Sequence, residues 1–148
     1  MLTNCIRMLT VVCLLMTVVS TGCIPTKQPQ VQDKKVPAWL EGSWRGIGYQ
    51  INLQQTWAIE LDVATTATVN YPSLECSGAW SLVKNAEGLV EFEEAILKGV
   101  NRCVNGGRIV ITRIDQHHIS YSFFEPQNGK LEAHSTLVDV EFDASKKI

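Results

Sequence analysis

The feature that most constrains the fold of this chain is an alternation of apolar and polar residues with a period of two. Between positions 57 and 64, Trp57, Ile59 and Leu61 occupy alternate positions, with small or charged residues between them. Successive side chains of an extended strand point to opposite faces, so the pattern gives one buried face and one solvated face. The segment is therefore predicted to be a β-strand that covers a core.

Further segments of this kind follow, and turn residues separate them. They cover residues 67–71, 76–82, 90–96, 108–114, 119–124 and 131–142. Asn-Gly pairs at 105–106 and 128–129 mark two of the turns. Downstream of residue 37 we find no amphipathic helical pattern of about 11 residues or more. The chain is predicted to be all-β with eight or nine strands, as a small antiparallel barrel or a two-sheet sandwich. The barrel is favoured because closure leaves no exposed strand edge.

The amino-terminal residues 1–22 have the pattern of a secretory signal peptide. Arg7 supplies a positive charge before an apolar stretch at 8–19 that only two threonines interrupt. This stretch is too short to cross a bilayer, which takes about 20 residues, but it suits the apolar part of a signal peptide. The alternative interpretation is a short buried helix, for which nothing downstream offers a helical partner.

The residues that end this segment, Ser20-Thr21-Gly22-Cys23, resemble the lipobox of bacterial lipoproteins. Ser20 departs from the Leu that is usual in that pattern. The resemblance implies cleavage before Cys23, a diacylglycerol on its sulfur and an acyl chain such as palmitate on its amino group. Ile24 stands where an Asp would favour retention in the inner membrane, so the resemblance implies an outer-membrane location. The alternative is ordinary signal-peptide cleavage, which would leave a free thiol at Cys23.

The five cysteines divide into three groups on this interpretation. Cys5 and Cys13 leave with the signal peptide, and Cys23 carries lipid. Cys76 and Cys103 remain, as an even pair in an oxidising compartment. We predict a disulfide between them. The alternative, a metal site or a catalytic thiol, lacks the C-x-x-C spacing and the nearby histidine that such sites use.

Composition divides the rest of the chain into a tether and one domain. Residues 23–37 contain the lipidated cysteine and a stretch rich in proline, glutamine and lysine, which is expected to be extended and solvated. Residues 38–148 are expected to form the barrel domain, which is long enough for one small core. With 13 basic and 15 acidic residues the chain has no basic excess, so nucleic acid is excluded as a partner.

Two further resemblances concern the domain itself. Gly42-Ser43-Trp44 resembles the G-x-W element of lipocalin-like barrels, which implies that Trp44 closes one end of the barrel. A longer series, which includes Tyr71-Pro72-Ser73-Leu74-Glu75-Cys76-Ser77-Gly78, is similar to a small bacterial extracytoplasmic β domain of unassigned function. This second resemblance supports the disulfide and implies no activity.

Three glutamates in one predicted strand are the main candidates for chemistry. Glu91 and Glu93 share a strand face with Cα atoms about 6.8 Å apart, a spacing that suits paired carboxylates of a hydrolase or a Ca²⁺ site. A solvated strand face is the alternative. Glu94 falls on the apolar face, where a buried charge requires a partner. The candidate partners are Arg102, Arg108 and Arg113.

The remaining motifs argue against a catalytic or metal-binding function. In the hairpin centred on Asn128, His134 is expected to lie opposite residues 121–123, more than about 10 Å from His117 and His118. These histidines are therefore expected at the surface, without a shared metal. The chain contains no G-x-S-x-G motif and no P-loop. We predict neither a metal nor a cofactor.

The sequence therefore predicts a lipid-anchored envelope protein that is not an enzyme and acts as a protein-binding module. Its partner would be an envelope protein, with this chain serving as an inhibitor, an immunity factor or an accessory subunit. Trp39 and Tyr71, at the ends of predicted elements, are the candidate partner-binding residues. One alternative is a lipocalin-like carrier of a small apolar ligand, which requires a roomy cavity. Another is a carboxylate-based hydrolase, which requires a cleft over the glutamates.

Overall fold

The computed structural model describes residues 35–146 of the chain. The signal peptide at 1–22, the proposed lipidation site Cys23 and most of the tether at 23–37 lie outside the described residues. Val36, just before the first helical turn, is buried and belongs to the core.

Eight antiparallel strands form one closed barrel, in which each strand pairs with its neighbours in sequence and the first pairs with the last. The all-β prediction is confirmed. Of the two predicted architectures, the barrel is correct and the two-sheet sandwich is not. The strands are β1 (Gly42–Gln50), β2 (Gln55–Val63), β3 (Ala67–Tyr71), β4 (Cys76–Ala86), β5 (Leu89–Lys98), β6 (Arg108–Arg113), β7 (His118–Phe124) and β8 (Leu131–Asp139).

The barrel interior is filled by the apolar set of the alternating pattern. In β2, for example, Trp57, Ile59 and Leu61 are buried, and the residues between them face outward or are half-buried. Strand β1 differs, because it places Gly46 and Gly48 on the inner face after Trp44. These glycines leave room for large side chains from the neighbouring strands.

One end of the barrel is closed by the segment that leads into β1. A 3-10 helix at Ala38–Leu40 buries Leu40 completely. The Nε1 of Trp44 donates a hydrogen bond of 2.9 Å to the carbonyl oxygen of Leu40. Trp44 is itself buried, so it has the end-closing position that was expected of it. We call this end the closed end.

The prediction that the last strand continues to residue 142 is wrong. Strand β8 ends at Asp139, and a short helix, α1 (Val140–Ser145), follows. The carboxylate of Asp139 accepts hydrogen bonds from the backbone N–H groups of Glu141 and Phe142, which caps the helix. Within residues 35–146, no helix combines the length and apolar character that crossing a membrane requires.

The predicted disulfide between Cys76 and Cys103 is present, with Cα atoms 6.4 Å apart. Cys76 is the first residue of β4, and Cys103 lies in the long loop between β5 and β6. The bond therefore fixes this loop to a neighbouring strand at the end of the barrel opposite the closed end.

Candidate functional site at the barrel mouth

The end of the barrel opposite Trp44 is open, and we call it the mouth. The up-and-down topology places four connections there, at residues 51–54, 72–75, 99–107 and 125–130. The chain enters the fold at the closed end and α1 also lies there, against β1 and β8. Neither end of the described chain therefore obstructs the mouth.

A cavity of about 300 Å³ opens at the mouth, and we call it the mouth cavity. Its inner walls are mostly aromatic and its rim carries apolar loop residues. The lining side chains include Trp57, Tyr71, Glu94, Arg102, Val104 and Tyr121.

Glu94 is the buried charged group of this cavity, with only 3% of the residue exposed. Its Oε1 accepts a hydrogen bond of 2.5 Å from the hydroxyl of Tyr71 and one of 2.9 Å from Nε1 of Trp80. Among the described residues no hydrogen bond reaches Oε2. Trp80 lies directly opposite Glu94 in the β4–β5 pair, so the strand register creates this contact.

The expectation that an arginine pairs with Glu94 is wrong. Arg102 lines the same cavity, but its guanidinium pairs with Glu75 at the rim. Arg108 pairs with Glu91 on the outside of the barrel. An uncharged phenol and an indole therefore stabilise the buried carboxyl group instead.

Burial has the same effect on the pKa of each acidic group in this cluster. Loss of solvation raises the pKa of Glu94, and the hydrogen bonds from Tyr71 and Trp80 oppose that rise. Burial likewise raises the pKa values of Tyr71 and Tyr121 well above the usual range of tyrosine. Both phenols therefore stay protonated, which lets Tyr71 act as a donor to Glu94.

Trp57, which also lines the mouth cavity, carries a buried polar atom without a partner among residues 35–146. Its indole is buried, and within the described structure its Nε1 has no hydrogen-bond partner. The ring lies 5.2 Å from that of Tyr71 and 6.1 Å from that of Tyr121, nearly perpendicular to both. A buried N–H group without an acceptor is costly, so this atom is an unusual feature of the cavity wall.

The other two candidate carboxylates are not in the cavity. Glu93 is exposed and borders an outer groove of about 350 Å³, while Glu91 lies half-buried near Lys84 and Arg108 at 3.5 and 3.6 Å. They do share one strand face, as predicted. Because Glu94 points inward, the barrel wall separates it from both.

The candidate partner-binding residues Trp39 and Tyr71 do not form a common surface. Trp39 lies in the 3-10 helix at the closed end, half-buried against the core. Tyr71 lies at the end of β3, at an element edge as the sequence indicated, and it is 4% exposed and lines the mouth cavity. It is buried because it is the last inward-facing residue of β3.

The histidines are placed much as predicted. His134 lies opposite Ser122 in the β7–β8 pair. His117 and His118 lie at the other end of β7, where the ring of His117 stacks on Phe142. Within the described part of the chain, no group of three or more His, Cys, Asp or Glu side chains is arranged to hold a metal.

A larger groove of about 650 Å³ runs over the outer faces of β1 to β4. Its polar lining includes Glu60, Asp62 and Asn70, which are exposed. The mouth cavity is smaller, but it has buried walls, a buried carboxyl group at Glu94 and, at Trp57, a buried N–H group without a partner in the described part of the chain. Those properties distinguish a binding site from a surface depression.

Comparison with known proteins leaves this site to be interpreted from its geometry. No family model matches the chain, and no curated protein or solved structure matches it at a significant level. The sequence signal for the site was the single acidic residue in phase with the apolar positions of β5, namely Glu94. Trp57 and Tyr121 gave no such signal. Aromatic residues at the inward-facing positions of a strand are expected simply because they fill the core.

Proposed function

We propose that this protein is a non-catalytic binding protein of the bacterial cell envelope, and that its mouth cavity takes up a small ligand. The observation that carries the proposal is a concave, largely aromatic cavity with two buried polar groups, Glu94 and Trp57, that have free bonding capacity. Its volume lies at the lower end of the range of about 300–1,000 Å³ that is typical of ligand pockets. The ligand therefore has an apolar body and a polar group.

Anchoring to the outer membrane through lipid at Cys23 is part of this proposal. It rests on the lipobox resemblance and on the signal-peptide pattern before it. The fold is compatible with such an anchor, because Val36 and the 3-10 helix bring the chain in at the closed end.

The arrangement of carboxylates supports binding rather than hydrolysis. Most glycosidases use two carboxyl groups that flank the scissile bond. Glu94 is the one acidic residue among those that line the mouth cavity, while Glu91 and Glu93 lie outside the barrel. A hydrolase of this type would need a second carboxylate beside Glu94.

A protein-binding module is the second candidate, and the rim of the mouth favours it. Four apolar side chains are exposed on the loops of this end, and they are Ile51, Leu53, Val100 and Val104. Apolar side chains around a pocket are typical of surfaces that receive a protein partner. An envelope protein that inserts one side chain into the cavity would use both features.

The test uses the purified full chain and two small probes of matched shape, 2-phenylethanol and the 2-phenylethylammonium ion. We expect at least one of them to bind with one-to-one stoichiometry by calorimetry. Binding should shift the indole N–H signal of Trp57 in NMR spectra. Val104→Trp should narrow the mouth and weaken binding about tenfold or more. Val100→Trp is the matched control, because Val100 is exposed on the same loop and does not line the cavity.

Absence of binding by both probes would overturn the small-ligand proposal and leave the protein-binding module as the better candidate. Equal effects of the two tryptophan substitutions would also contradict it, because they would show that the probes bind somewhere other than the mouth. The second candidate predicts instead that Val104→Trp abolishes capture of one specific envelope protein, with Val100→Trp again as the control.

A further inference from the structure

We infer that the polar group recognised in the mouth cavity is an alkylammonium ion, held between Oε2 of Glu94 and the surrounding aromatic rings. The inference rests on the proposed function and names the chemical class of its ligand. Two independent features of the cavity support it, the carboxylate and the aromatic rings, and the surrounding charge does not oppose it.

The carboxylate has one oxygen fully used and one oxygen free. Both hydrogen bonds to Glu94 end on Oε1, at 2.5 and 2.9 Å, so Oε2 keeps its capacity to accept. The group that best matches a buried carboxylate oxygen is a cationic donor, because a charge-assisted hydrogen bond is about twice as strong as a neutral one. A ligand carboxylate would instead be repelled by Glu94 when it is ionised.

The rings around the cavity favour a cation for a separate reason. Trp57, Tyr71 and Tyr121 all line the mouth cavity, and Trp57 packs edge to face against both tyrosines, at angles of 87° and 89°. The face of an aromatic ring carries negative charge density, which attracts an ammonium group within about 6 Å. Aromatic walls beside a carboxylate are the arrangement by which proteins recognise amines and methylated amines.

The charge around the cavity does not oppose this ligand. Arg102 lines the rim, but its guanidinium pairs with Glu75, and both side chains are largely exposed to solvent. Solvent screening therefore weakens its repulsion of a cation. The N–H edge of Trp57 carries partial positive charge, so the ammonium group lies nearer to Glu94 and a ligand oxygen suits Trp57.

Three probes that share a phenyl group separate the possibilities, because they differ mainly in the charge of their polar group. They are 2-phenylethylammonium, 2-phenylethanol and 3-phenylpropionate. We expect the cation to bind the wild-type protein at neutral pH about tenfold more tightly than the alcohol, and the anion to bind most weakly. This comparison uses the unmodified protein, so it does not depend on a variant that folds.

Glu94→Gln provides the second test, because it removes the charge and keeps the size of the side chain. We expect it to reduce the preference for the cation over the alcohol to less than about twofold. Glu93→Gln is the matched control. It changes the neighbouring residue of the same strand, which is exposed outside the barrel, and should keep the full preference. Thermal unfolding shows whether each variant is folded.

Failure of this inference differs from failure of the proposed function. If the alcohol or the anion binds as tightly as the cation, and Val104→Trp still weakens binding, the ammonium inference is overturned and the mouth remains the binding site. If a folded Glu94→Gln variant keeps the preference for the cation, the inference is also overturned. If no probe binds, both proposals fail.

Discussion

Gly48 lies directly opposite Trp57 in the β1–β2 pair, and the absence of a side chain at position 48 makes room for the indole. A Cβ atom at this position would lie 2.5 Å from the Trp57 ring. The aromatic wall of the mouth cavity therefore depends on a glycine of the neighbouring strand.

We expect Gly48→Ala to lower the free energy of unfolding by about 1–3 kcal/mol, because the added methyl group forces the Trp57 ring out of its position. Urea denaturation, followed by fluorescence, measures the loss. The displaced ring should also weaken binding at the mouth.

The double variant Gly48→Ala/Trp57→Phe is the control for this mechanism. Phenylalanine lacks the outer part of the indole that the new methyl group would contact, so the alanine should cost less in its presence. The coupling between the two substitutions is read from a double-mutant cycle. Strictly additive losses would contradict the steric explanation.

Stability should depend on pH through Glu94. Burial raises its pKa, so the folded state binds this proton more tightly than the unfolded state does. Between the ordinary carboxyl pKa and the raised one, the free energy of unfolding should fall as pH rises, by up to about 1.4 kcal/mol per pH unit. At pH values below that window Glu94 is protonated in both the folded and the unfolded state, so its full contribution to stability is present. Tyr71 and Tyr121, which face Glu94, stay protonated throughout, because their pKa values are raised.

Urea denaturation at a series of pH values tests this dependence against two variants. Glu94→Gln should remove it, so that the difference in stability from the wild type changes across the window. Glu93→Gln, on the outer face, should follow the wild-type curve. Parallel curves for the wild type and Glu94→Gln would show that burial does not shift the titration of Glu94 in this way.

The disulfide between Cys76 and Cys103 should contribute about 3 kcal/mol to stability, since it closes a loop of 27 residues. Reduction should lower the melting temperature by about 10 °C or more in a domain of this size. The intact mass of the oxidised protein should be lower than that of the reduced protein by the mass of two hydrogens. Calorimetry with and without reductant measures the first effect, and two free thiols in the native protein would contradict the assignment.

Cys23→Ser should release the protein from the membrane or leave it with an uncleaved signal peptide. Lipid at Cys23 is the proposed anchor, and serine cannot carry it. Fractionation of cells after an alkaline or high-salt wash measures the distribution. A Cys23→Ser variant that stays in the outer membrane after that wash would contradict the lipobox interpretation.

The sequence predicted the barrel because a closed sheet repeats one rule in every strand, with one face inside and one outside. Glu94 was placed on the inner face by the same rule. Its partners were not predicted, because they depend on strand register, which sets Trp80 opposite Glu94. Sequence reasoning assumed a charged partner, whereas the register supplies an indole and the end of β3 supplies Tyr71.

The predicted end of β8 was wrong for a different physical reason. Residues 140–142 continue an apolar pattern that suits a strand as well as a helix. The deciding contact is local, since the carboxylate of Asp139 caps the backbone that follows it. A single capping residue thus outweighs a weak alternation at the end of an element.

Because β1 pairs with β8, and the chain both enters and leaves the barrel at the closed end, the fold is cyclic in its strand order. A linker between residues 35 and 146 would permit a circular permutant whose new termini lie in the turn at Asn128 and Gly129. Every strand pairing would be kept, but the attachment point would move to the opposite end of the barrel. The new termini would lie beside the mouth, so the point of attachment can be varied separately from the fold.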